Sequence, residues 1–290
     1  MTKLLCTICA LALLFSVPAY ADTGLEWDGV GSTRSMLLWD LGADPVFPMY
    51  PATYIFRVLP HAKTGVEFPN GYYTTFFWGN NGTFIWDGGN AGSYYGMHPY
   101  PVPAPDGEGE WEISVRSDDF VTGTKVDWDR WHTQAIRVWR DSASITQHEF
   151  YYDLPDTSKV ITHEVNDAGW AATMPPSPAI VVGQAPDNGS GASWGGYPGW
   201  EEFHGVIRGM QFYTTNLSVA DILLEIATPM GTTAGANNIW YLNINPTPTD
   251  TADDSGQGND PTWEGAAPAL YTDQGTVALT VSGVALSGVN

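Results

Sequence analysis

Residues 131–140 read Trp131-His132-Thr133-Gln134-Ala135-Ile136-Arg137-Val138-Trp139-Arg140. Period-two alternation puts His132, Gln134, Ile136 and Val138 on one side of an extended chain, and Trp131, Thr133, Ala135, Arg137 and Trp139 on the other. The stretch is read as a β-strand. Similar runs lie on both sides of it: residues 35–39, 53–59, 72–78, 83–86 and 111–116 before it, and 148–153, 159–164, 179–182, 203–213, 239–244 and 276–284 after it. With 32 Gly and 21 Pro to punctuate them and 13 Trp and 14 Tyr to cover a pleated surface, these runs predict many short strands joined by tight turns. The fold class expected is all-β, a two-sheet antiparallel jelly-roll sandwich with one short helix. That helix is expected over residues 217–226, where Ser218 is followed three residues later by Asp221, a capping-box spacing.

The first 21 residues carry one positive charge, Lys3, an apolar run from Leu4 to Val17, and a small-x-small end, Ala19-Tyr20-Ala21. They read as a signal peptide, so the expected mature chain starts at Asp22 and is secreted, extracellular or periplasmic. The run is too short to cross a bilayer, and no membrane insertion is expected. Cys6 and Cys9 both fall in this segment, which leaves the exported chain without a disulfide or a cysteine nucleophile. Residues 22–290 are read as one sandwich domain. They hold 10 basic and 32 acidic residues, a net charge of −22, which argues against nucleic acid as a partner. Six of the ten cations (Arg116, Lys125, Arg130, Arg137, Arg140, Lys159) fall between 116 and 159, so any locally positive site would be built from that segment.

Three stretches together resemble the concanavalin A-like lectin and glucanase superfamily, in its laminin-G-like branch. They are Asp129 to Trp139, Phe203 to Tyr213 with Leu217 to Ile222, and Asp253-Asp254-Ser255-Gly256-Gln257-Gly258-Asn259-Asp260. The resemblance implies a jelly-roll sandwich and a role in carbohydrate recognition or processing, since the fold hosts lectins, adhesion modules, hydrolases and lyases. The Asp-Ser-Gly loop usually comes early in such domains and here comes late. Residues 239–290 therefore read either as a permuted strand segment or as an incomplete second copy.

Several groups of residues are candidates for chemistry. Trp194, Tyr197 and Trp200 sit in a Gly- and Pro-rich loop, and Tyr95, His98 and Tyr100 in another. Flat rings so placed suit stacking on the C–H face of a sugar, so both groups are candidate contacts to a polysaccharide or other glycan; the alternative is that the rings fold back onto the sandwich. His132, Gln134, His148 and Tyr152, with Arg137 nearby, form the candidate catalytic set of a lyase, provided they converge in an open groove. The alternating Glu108, Glu110 and Glu112 resemble a hydrolase's carboxylates only loosely. Asp250, Asp253, Asp254, Asn259 and Asp260 make an oxygen-rich loop suited to calcium, or a merely solvated one. No nucleophile elbow or phosphate loop occurs. The leading expectation is a secreted carbohydrate-binding protein. The rivals are a polysaccharide lyase or glycoside hydrolase, and a structural protein that self-associates through an edge strand in its apolar tail, Gly275 to Asn290.

Overall fold

A computed structural model describes residues 23–28, 35–40, 51–61, 76–80, 95–101, 109–115, 118–142, 145–166, 178–182, 203–228, 238–243, 252–265 and 269–272. They form two antiparallel sheets and one helix. The larger sheet runs in the order β10 (Val160–Asn166), β9 (Ile145–Tyr151), β8 (His132–Ser142), β3 (Ala52–Pro60), β12 (His204–Tyr213), β1 (Thr23–Asp28) and β15 (Ala269–Thr272), and β13 (Asn238–Asn243) also pairs with β12. β1 and β13 share one edge of β12 end to end, β1 along residues 204–207 and β13 along 209–213. The second sheet runs β14 (Thr262–Gly265), β2 (Ser35–Asp40), β11 (Pro178–Val182), β4 (Phe76–Asn80), β5 (Tyr95–Pro101), β6 (Gly109–Val115) and β7 (Asp118–Lys125).

The strands from residue 238 onward join both sheets. β13 and β15 belong to the larger one and β14 to the smaller. β15 is an edge strand, and Leu270 on it is 50% exposed. The tail from 275 lies outside the described residues, as do the signal segment and the strands expected at 83–86 and 276–284.

The two faces of the larger sheet differ in what covers them. Phe56 and Val58 of β3, Ile136 and Val138 of β8, Phe150 of β9, and Met210 and Phe212 of β12 are fully buried or nearly so. Trp111 of β6, in the opposite sheet, has no exposed surface and meets Phe150 edge-on at 6.0 Å. This face is the inside of the sandwich. On the outer face, Ile55, Ala135, Tyr151 and Tyr213 are covered locally by Leu154, Leu217 and Ile222.

Ile222 comes from α1 (Val219–Ala227), which starts as its sequence predicts. The Asp221 amide donates to Ser218 Oγ at 3.1 Å, and the Ser218 hydroxyl donates to Asp221 Oδ2 at 2.6 Å. Thr53 of β3 ties down the preceding turn by donating to Thr215 O and accepting from Leu217 N. The buried Glu225 carboxylate accepts from Tyr213 Oη at 2.7 Å, so the helix's inward charge is met by a phenol.

The sequence reading is corrected at β5. Tyr95, His98 and Tyr100 were expected in a loop, and the chain there is an internal strand pairing with β4 and β6. Proline argues against an internal strand because it has no N–H to give. Among the described residues β4 pairs with residues 95–97 and β6 with 95–101, so the described neighbour of Pro99 and Pro101 is β6. The register sets His98 opposite Glu112 and Tyr100 opposite Glu110.

Candidate functional site

His132, Gln134 and His148 share one face of the sheet, as alternation requires. It is the inner face, and they are 2%, 0% and 1% exposed. Trp111 crosses the His132 ring at 5.4 Å. Tyr152 follows the end of β9 with its ring 6.2 Å from Phe150 and is half-buried. An open groove was the condition for reading these residues as catalytic. The second sheet covers three of them, because period two says which residues share a side but not which side faces the core. Burial lowers the pKa of His132, and its Nε2 lies 2.8 Å from Asp127 O.

Three of the cations between 116 and 159 are paired within the chain. Asp153 accepts from Arg130 Nη2 and Lys159 Nζ and stands 3.5 Å from His132 Nδ1, while Arg130 Nη1 also donates to Asp127 Oδ2 at 2.8 Å. Arg137 is paired with Glu149. These cations join loops and strands to one another and do not present a free charge to a ligand.

Arg137 differs from the other candidates because its side chain lies on the outer face, beside Trp139. The register sets Arg137 opposite Glu149, Trp139 opposite Gln147, and Gln147 opposite Glu164, so three strands supply one flat array. The Arg137 guanidinium lies 5.3 Å from the Trp139 ring centroid and donates to Glu149 Oε2. Tyr151 Oη donates to that same oxygen at 2.8 Å. Burial, then this bond to Glu149, raises the Tyr151 pKa, which keeps the phenol a donor. Trp139 Nε1 donates to Asp141 Oδ1 at 3.1 Å, and Gln147 Nε2 donates to Asp141 Oδ2 at 3.1 Å and to Glu164 Oε2 at 2.7 Å. The indole is thus half-exposed and held by its own N–H, with planar polar groups around it fixed by one another. Sequence reasoning placed Trp139 and Arg137 on a shared face but did not choose it. The signal available was that this face carries Trp131, Arg137 and Trp139 while its opposite carries Ile136 and Val138.

The acidic loop is ordered from within. Asp253 Oδ1 accepts from the amides of Tyr241 (3.0 Å) and Ser255 (2.9 Å), and Oδ2 accepts from Ser255 Oγ (2.6 Å) and the Asn259 amide (3.0 Å). Asp260 Oδ1 accepts from the Asp253 amide at 2.8 Å. Gly256 and Gly258 take the positive φ values, 79° and 75°, that let the chain fold around this carboxylate. Among the described residues no group of three or more His, Asp or Glu side chains is arranged to hold a metal. Asp250, Trp194, Tyr197 and Trp200 lie outside them.

No family model matches the chain, and no curated protein matches it. Solved structures with a similar arrangement include a Bacteroides ovatus protein described as carbohydrate-binding, 10% identical, over 89% of this chain and 61% of that one, with a TM-score of 0.49. Scytalido-glutamic peptidase is 14% identical over 69% of this chain and 85% of that one, TM-score 0.31. Basic winged bean lectin is 13% identical over 67% and 76%, TM-score 0.30. The chain spans about three fifths of the first of these. The likenesses concern strand arrangement, and one fold serves different activities, so function rests on the site.

Proposed function

We propose that the protein is an exported carbohydrate-binding β-sandwich of the concanavalin A-like class, which recognises a neutral glycan on the outer face of its larger sheet. The observation that carries this reading is the Trp139 platform: a half-exposed indole bordered by Asp141, Gln147 and Glu164. An indole face stacks on the C–H face of a sugar ring, and a carboxylate already holding one donor retains lone pairs for hydroxyls. Three carboxylates (Asp141, Glu149, Glu164) accompany one guanidinium in the array, which disfavours a uronate through like-charge repulsion. Trp194, Tyr197 and Trp200 are proposed as additional contacts, and export as processing before Asp22, which the mass of the secreted chain reads directly.

Replacing Trp139 by Ala is expected to weaken binding to a neutral polysaccharide by about tenfold or more, because a platform ring gives its area to the ligand. The ring is half-buried, so some fall in melting temperature should accompany the loss, and affinity is measured well below it. Titrations of the same glycan against Trp194→Ala and Trp200→Ala test the loop. Undiminished affinity in Trp139→Ala, with glycan binding otherwise intact, would remove the site from this face.

Calcium remains a proposal for the 250–260 loop. With Asp253 committed to protein donors, an ion would draw on Asp250, Asp254 and Asp260, and binding to the native state alone would raise the melting temperature at millimolar calcium. An unchanged melting temperature assigns the loop's order to the Asp253 bonds alone.

A further inference from the structure

A second indole–guanidinium stack stands on the outer face, at the other end of β8. Trp131 is half-exposed, the Arg57 guanidinium lies 5.4 Å from its ring centroid, and Tyr271 of β15 meets it edge-on at 6.4 Å. Polar groups surround this stack as well. His61 Nδ1 is 2.7 Å from Asp129 Oδ1, and His61 Nε2 is 3.6 Å from Glu26 Oε1. The backbone explains the placement. Gly205, at φ 147°, lets β12 approach the end of β3 where a Cβ would stand 2.2 Å from Leu59 O. Asp129, in the left-handed region at φ 57°, donates its amide to Pro60 O at 2.8 Å. That turn delivers Trp131 to the sheet beside His61.

Between the stacks, Leu154 and Ile222 cover Ala135, so they are separate places. From Trp131 to Trp139 the strand advances about 26 Å at roughly 3.3 Å per residue.

We propose that Trp131, Arg57 and Tyr271 form a second carbohydrate-binding platform, and that the two platforms together make the protein a bivalent binder of long neutral polysaccharides. This rests on the reading of Trp139 as a sugar platform. A ligand reaching both sites pays the cost of association once, so the second contact acts at a high effective concentration. A trisaccharide is too short to reach both.

The test uses the full mature chain with three immobilised neutral polysaccharides (β-1,3-glucan, xylan and mannan) and the trisaccharide of whichever binds. The expected result is two trisaccharides bound per chain, with the polymer held about a hundredfold more tightly than the trisaccharide. Trp131→Ala should bind one trisaccharide and lose about tenfold or more of its polymer affinity. Tyr271→Ala, on the edge strand, should weaken the polymer in the same sense, and keeps the test decisive should Trp131→Ala not fold. One trisaccharide per chain in the unaltered protein, with polymer affinity unchanged in Tyr271→Ala, overturns the second platform and leaves the first standing. Binding of none of the three polysaccharides overturns both.

Discussion

Replacing Trp111 by Ala is expected to cost about 3–5 kcal/mol of folding stability, the range for a large aromatic removed from a core. The ring has no exposed surface and stands between the sheets, 5.4 Å from His132 and 6.0 Å from Phe150. Its loss leaves a void against polar as well as apolar neighbours. Trp111→Phe keeps most of the volume and should cost less than half as much. Denaturant titrations of the two variants measure the difference. A loss below about 1 kcal/mol in Trp111→Ala would mean that the sheets do not meet through this residue.

Asp153→Ala is the second large effect. Removing one partner of a buried ion pair typically costs about 3–5 kcal/mol. Here the Arg130 and Lys159 side chains are 47% and 37% exposed and regain water, so roughly 2 kcal/mol or somewhat more is expected. The pH dependence carries a sign. Burial pushes the Asp153 pKa up, and the hydrogen bonds from Arg130 and Lys159 outweigh it, holding the group below its ordinary 3.8. Its contribution is therefore fully present above pH 3.8 and is lost as pH falls through the lower folded value. His132 acts earlier and in the same direction. Burial depresses its pKa below 6.5, so the unfolded chain takes up a proton there before the folded one does, and stability falls as the solution is acidified through that range. The unaltered protein should lose stability in two stages on acidification, and Asp153→Ala should lack the second. A single stage shared by both proteins would show that Asp153 is not the group responsible.

The sequence made some features legible and hid others for definable reasons. The Ser218 cap and the strand at 131–140 were readable because hydroxyl-to-amide geometry and period two are local. β5 was not, since its two prolines argue against an internal strand. The choice of face was hidden too. His132, Gln134 and His148 look like a reactive set in the chain, and only the position of Trp111 in the other sheet shows that they are enclosed. The pairing of cations in the middle segment was hidden in a similar way. Its charges are answered by Asp127, Asp153 and Glu149, the first and last of which were in plain view, but pairing depends on register and on the path of the 152–159 turn.

The pairing of β1 bears on how the chain reaches its final state. Leu25 pairs with Ile207 on one side and Leu270 on the other, so β1 has neither of these neighbours until residues 204–213 and then 269–272 have been made. A ribosome delivering this sequence from its first residue releases β1 long before anything can hold it. Contacts so distant along the chain make for slow folding, because the entropy of closing so long a loop is lost before the β1 pairings can offset it.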